Sequence, residues 1–245
     1  MTSYGETALV RGLSFLAEKQ AAIANNLANV DTTGFKRRTS IAQQAGGFGA
    51  VLDRQLTSVG YTERADMQRG VLRETTNRFD VAIDGPAWLR VQDAAGKSFY
   101  TRNGQLAVST DGRLTTREGL AVLDQGGRPI VFGASDELSA NVTISPNGTI
   151  ADPDSGRRWG PIALVQLPNP DALVPIGKSL WVDPQNQKTT QVGDGLQQGY
   201  LEGSNVDSLQ ELVQMITVER SFSATQKVLS GIGRLQENLI SDILR

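Results

Sequence analysis

The stretch DSLQELVQMITVERSFSATQKVLSGIGRLQENLISDI, residues 207–243, carries Met215, Val218, Phe222, Thr225, Leu229, Ile232, Gln236, Leu239 and Ile243 at spacings that alternate three and four. Residues at that period run along one seam of an α-helix, the heptad pattern of helices that pair. Seven of the nine are apolar, so the stretch reads as a helix from residue 208 to 244, some 55 Å long at a rise of roughly 1.5 Å per residue. Its start carries a capping signal, either Asp207 with Gln210 or Ser208 with Glu211. Leu212, Ile216, Val228, Leu235 and Ile240 lie beside the seam and widen the apolar face, which implies more than one neighbour.

The other end of the chain repeats the pattern. Leu9, Leu13, Leu16, Gln20, Ile23, Leu27 and Val30 alternate four and three and predict a first helix, about 25 residues or about 38 Å long. Neither helix can hide its own stripe, and burying seven seam residues is worth on the order of 10–20 kcal/mol as an upper bound. Each stripe therefore needs a partner, first of all the other helix. Within AIANNLANVDTTGFKRR, residues 22–38, asparagines stand where better helix formers are expected. Asn25 and Asn26 read as side chains that bond laterally to neighbouring helices and set register. For Asn29 two readings stay open: the same interface role, or a helix C-terminus with Gly34 as the left-handed residue that stops it.

Between the helices the period changes. Asp84-Gly85, Ala95-Gly96, Asn103-Gly104, Asp111-Gly112, Glu118-Gly119, Gly126-Gly127 and Asn147-Gly148 separate short runs such as DVAI, WLRV, SFYT, GLAVL and PIALVQL. Asn-Gly and Asp-Gly suit hairpin turns, because both central residues tolerate positive φ. The fold class is α+β, an antiparallel β domain of seven or more strands inserted between N- and C-terminal heptad helices that pair as a coiled coil. The expected organisation is a helix in 1–34, a connecting segment 35–78, the β domain 79–182, a return linker 183–206 and the second helix 207–245. Trp88, Trp159 and Trp181 are expected in the β core.

Composition removes whole classes of chemistry. The chain has neither cysteine nor histidine, which excludes disulfides, Cys/His zinc sites, thiol catalysis and every Ser-His or Cys-His nucleophile. A pair of carboxylates can still divide acid and base work, and Asp80 and Asp84 are the nearest candidates, yet they sit on one strand. A formal charge of −2 offers no footprint for nucleic acid. Residues 34–78 are locally basic, with Lys36, Arg37 and Arg38 directly after Phe35. That run reads either as a dock for a neighbouring subunit or as a Gly-Phe turn with solvated charges. Asp152 and Asp154 read as a polar turn rather than a calcium loop. No signal-peptide pattern opens the chain and no apolar run is long enough to span a bilayer, so any export is expected to proceed without a cleaved signal.

Three stretches resemble one family. ANNLANVDTTGFKRR (24–38) resembles the N-terminal signature of bacterial flagellar rod and hook proteins, GYLEGSNVDSLQELVQMITVERSF (199–222) their C-terminal signature, and residues 78–130 their shared β domain. The Trp-Leu-x-Val-Gln run, the YTRNG turn and LEGSNV look most like the proximal rod branch, with the distal rod as alternative. The resemblance implies a structural subunit with no catalytic residue, no cofactor, no metal and no small-molecule substrate. Its implied partners are other axial rod proteins and the flagellar export apparatus, with the surrounding ring proteins as further candidates, in the periplasmic part of the basal body. Expected subunit contacts are Leu13, Leu16, Ile23, Asn25, Asn26, Leu27, Asn29 and Phe35 at one end. At the other they are Asn205, Val206, Met215, Phe222, Leu229 and Ile232. A soluble coiled-coil adaptor would explain the C-terminal seam but not the matching N-terminal one.

Overall fold

A computed structural model describes residues 4–42, 61–133, 141–177 and 179–243. The chain divides into two compact units: a helical unit of Met1–Ala28, Arg37–Asp66 and Val206–Arg245, and a β unit of Asn29–Lys36 and Met67–Asn205.

Two helices dominate the helical unit: α1, Tyr4–Ala28, of 25 residues, and α2, Ser208–Ile243, of 36. Both lengths match the heptad reading. Asp207 is the cap of α2: its carboxylate accepts from the backbone N–H of Leu209 and Gln210 at 3.0 and 3.1 Å, two of the donors that a helix start leaves unpaired. The alternative start at Ser208 is not used. α1 packs against α2 and against an antiparallel ribbon of β1 (Arg38–Ala42) and β2 (Tyr61–Ala65). That ribbon lies inside the segment read as a connection. On α2 the seam residue Val218 is buried, and Met215, Phe222, Thr225, Leu229 and Ile232 are half-buried. The side chains of Gln236, Leu239, Ile240 and Ile243 lie outside those described. No described helix is long and apolar enough to cross a membrane.

In the β unit every strand pair is antiparallel. The main sheet is built on β5 (Trp88–Gln92), β6 (Ser98–Thr101), β7 (Leu106–Val108), β8 (Leu114–Thr116) and β9 (Ala121–Val122). It is completed by β13 (Leu164–Gln166), β14 (Val174–Pro175), β15 (Leu180–Val182) and β16 (Thr190–Gln191). The order is β14-β15-β6-β5-β9-β8-β7, with β13 also on β5 and β16 on β13. A three-stranded sheet joins β10 (Thr143–Ile144), β11 (Ile150–Asp152) and β12 (Arg157–Trp159). Two further pairs close the unit: β3 (Leu72–Glu74) with β18 (Tyr200–Glu202), and β4 (Val81–Ile83) with β17 (Leu196–Gln198). Residues 183–206 thus contribute three strands where the sequence read as a linker. Those strands are two or three residues long and mostly polar, so they carry no period to detect.

The core holds Val81, Ile83, Leu89, Val91, Leu114, Val122, Ile150, Ile162, Leu164 and Leu196. Trp88 and Trp181 are buried, edge to face with centroids 5.8 Å apart, and the half-buried Trp159 meets Phe132 at 5.0 Å. Six of the seven Gly pairs have positive φ at the second residue, and five of these close hairpins, Asp84-Gly85 instead joining β4 to β5, which pair with other strands. Asn103-Gly104 is the exception, because a Cβ on Gly104 would lie 1.7 Å from the Val81 carbonyl oxygen. Glycine there permits close approach of two backbones rather than a left-handed turn.

Candidate functional site: two buried polar clusters and an exposed helix face

The basic run after Phe35 is not a solvated face. Lys36 is 1 % exposed, and its ammonium donates to the Glu202 carboxylate at 2.7 Å and to the Gln68 carbonyl at 2.5 Å. Arg102 donates from Nε to the other Glu202 oxygen at 2.7 Å, and from its terminal nitrogens to the carbonyls of Gly85, Ala87 and Ile83. Glu202, fully buried, also accepts from the Gly70 N–H at 3.1 Å. All of these residues belong to the β unit. Two cations share one carboxylate, and the surplus positive charge is balanced by the four backbone carbonyls aimed at it. Burial alone would raise the Glu202 carboxyl, but the charges of Arg102 and Lys36 and their hydrogen bonds outweigh it and hold it below the ordinary glutamate value.

Gly34 completes this cluster. It takes φ +68°, donates its N–H to the Glu202 carbonyl at 2.8 Å, and lies so close to Arg102 and Asn103 that a Cβ would sit 2.6 Å from their backbone. It is left-handed as the sequence indicated, but α1 has already ended at Ala28, so it is not that helix's stop. Asn29 sits in the turn after α1, where its carbonyl accepts from the Thr32 N–H and its side-chain oxygen from the Thr32 hydroxyl. Phe35 is buried in the same unit, and Asn205 donates to the Gln68 carbonyl at 3.0 Å.

A second cluster belongs to the helical unit. The Asn26 side chain pairs with the backbone of Arg38, accepting from its N–H and donating to its carbonyl, both at 2.8 Å, and also reaches Glu211 at 3.1 Å. The Arg37 Nε donates to the other oxygen of Glu211 at 2.5 Å. Asn26 and Glu211 are both fully buried. The asparagine that interrupts the apolar stripe therefore ties α1 to the first residue of β1 and to the first turn of α2. It was expected between subunits, and its amide is engaged inside this unit. Asn26→Ala leaves buried backbone and carboxylate groups short of a partner and lowers stability by about 2–3 kcal/mol, whereas Gln226→Ala, at an exposed position of α2, stays within about 0.5 kcal/mol. Urea unfolding followed by far-UV circular dichroism reads the contrast.

The remaining expected contacts divide by exposure. Leu13, Leu16 and Leu27 are half-buried, as are Met215, Phe222, Leu229 and Ile232, while Ile23 and Val206 are buried in the helical unit. The most exposed apolar surface of α2 lies elsewhere. Leu209, Leu212, Val213 and Ile216 are 71, 49, 57 and 51 % exposed. At roughly 100° per residue they stand about half a turn away from Val218 and Phe222, so the N-terminal half of α2 carries apolar residues on opposite sides. The sequence pointed to Leu212 and Ile216, with Val228 and Leu235 further along, and missed Leu209 and Val213.

Glu202 and Arg102 were not singled out, Lys36 was read as part of a subunit dock or a solvated run, and Glu211 as a capping residue. Pairings across 100 and 166 residues leave no local signal. Glu211 did leave one, because stepping the α2 seam back four residues from Met215 lands on it, and a carboxylate on an apolar seam requires a buried partner.

Comparison with known proteins follows the same three stretches. Residues 8–36 match the family model of flagella basal body rod proteins, 82–151 that of the flagellar hook protein FlgE/F/G D1 domain, and 197–241 that of the flagellar basal body rod FlgEFG protein C-terminal region. Lys36, Arg102 and Glu202 come one from each. The chain is 30 % identical over 237 residues to the flagellar basal-body rod protein FlgF of Salmonella typhimurium, covering 87 % of this chain and 88 % of that protein. It is 29 % identical to FlgF of Caulobacter vibrioides, covering 96 and 97 %, and 29 % identical to FlgG of Bacillus subtilis, covering 95 and 96 %.

Proposed function

This chain belongs to the flagellar basal-body rod protein family, and from that membership we propose that it is a structural subunit, not an enzyme, of the helical drive shaft that transmits torque. Its place in this reading is the proximal, FlgF-like part of the rod, in the periplasmic portion of the basal body. It arrives unfolded through the flagellar export apparatus and assembles on other axial proteins, with ring proteins around them. In the assembled rod α1 and α2 pair as a coiled coil toward the inner tube, through Leu13, Leu16, Leu27, Met215, Phe222, Leu229 and Ile232.

The observation that carries this reading is the second apolar stripe of α2, formed by Leu209, Leu212, Val213 and Ile216. One helix with apolar residues on opposite sides needs two neighbours, and among the described residues α1 is the helix that packs on α2. Burying such a side chain is worth about 1.5–3 kcal/mol, so the stripe is a substantial contact once a neighbouring subunit covers it. Val213→Asp with Ile216→Asp is expected to leave the isolated chain folded, with its melting temperature within a few degrees of the parent. The same variant should abolish rods in purified basal bodies. Normal rods built from the doubly charged chain would sink the proposal. The distal, FlgG-like position is supported equally by the similarity to FlgG of Bacillus subtilis. Tagging the chain and locating it by electron tomography near the inner-membrane or the hook end separates the two.

A further inference from the structure

We infer that Glu202 is a folding checkpoint, which holds the β unit open until the segment that carries it has arrived. The inference deepens the proposed function and rests on it in one respect, that the chain travels unfolded before it assembles.

Lys36 and Arg102 both come from the first half of the chain and both are buried in the β unit. Their shared anion lies 166 and 100 residues later. The same late segment supplies β17, which is the strand paired with β4, and β18, which is the strand paired with β3. All three residues of β4 are fully buried, and Leu196 of β17 enters the same core. Until residues 196–202 arrive, Lys36 and Arg102 lack the carboxylate they share, beside a core strand whose partner β17 is missing. An incomplete buried ion set destabilises far more than an apolar replacement of the whole set. A chain emerging from its N-terminus therefore has a compact β unit withheld from it until its own C-terminal portion is present.

A solvent-exposed ion pair and a buried ion set that has to be complete before it can be buried differ in one respect. Loss of Glu202 should be relieved by deleting the two cations as well. Three full-length chains test this: the parent, Glu202→Gln, and the charge-free chain with Lys36→Met, Arg102→Met and Glu202→Met. At neutral pH, hydrogen exchange of the β5–β9 amides should lose at least a hundredfold protection in Glu202→Gln and return to within tenfold of the parent in the charge-free chain. Pulsed exchange during refolding of the parent should show β5–β9 gaining protection in the same phase as residues 196–202. Three results overturn the checkpoint: Glu202→Gln within tenfold of the parent, no relief on removing the cations, or β5–β9 protected well ahead of 196–202 in the parent. The last needs no variant to fold. None of these readouts involves export or assembly, so a failure of the rod reading appears only in the Val213 and Ile216 test.

Discussion

Gly34→Ala lowers the stability of the β unit by roughly 3 kcal/mol or more, the sum of a left-handed backbone forced on a Cβ and an overpacked contact. Two features combine at this position. The backbone has φ +68°, and the added carbon would meet the Arg102 and Asn103 backbone at 2.6 Å. Neither neighbour can yield easily, because Arg102 is held by Glu202 and by three carbonyls. Gly119 is the control, since it has a similar φ of +85° and nothing within 4 Å of its notional Cβ. Gly119→Ala therefore costs only the backbone component, about 1–2 kcal/mol. Equilibrium unfolding followed by tryptophan fluorescence measures both, since all three tryptophans lie in the β unit. Equal losses for the two variants would mean that the Gly34 contact relaxes freely.

Acid is the second large perturbation. The Glu202 carboxyl is held below its ordinary value in the folded chain and returns to about 4.3 when unfolded. Between those two values the unfolded chain binds the extra proton, so stability rises with pH there. The contribution is complete above the unfolded value and is lost as pH falls through the folded one. Once protonated, Glu202 no longer neutralises Lys36 and Arg102, and the loss approaches the roughly 3–5 kcal/mol of a broken buried ion pair. Urea midpoints of the parent should therefore fall steeply below about pH 4, whereas the charge-free chain described above falls less. Parallel acid limbs would show that other carboxylates govern the transition.

The helices were legible because a period of three and four survives in spite of individual residues: Gln20 and Thr225 stand in the seams without obscuring them. The hairpins were legible for a similar reason, since Asp-Gly and Asn-Gly state a backbone requirement locally. What was not legible is what depends on long separations. β17 and β18 look like linker because their pairing is with β4 and β3, more than a hundred residues earlier. Lys36 read either as a subunit dock or as a solvated charge because its carboxylate partner is 166 residues away. Asn26 was recognised as anomalous, and its partner was assigned to another molecule because nothing nearby in sequence announces that a helix amide will pair with the backbone of Arg38.

The chain passes between its two units four times, at residues 28/29, 36/37, 66/67 and 205/206. A protease that cuts any one of these passages leaves the halves joined by three lengths of intact main chain. Releasing 67–205 as one piece takes two cuts, and the piece so released lacks Lys36, which stays on the fragment 1–66. Limited digestion is thus expected to yield nicked molecules of full mass under native conditions, and no shorter recombinant span of consecutive residues reproduces the β unit alone.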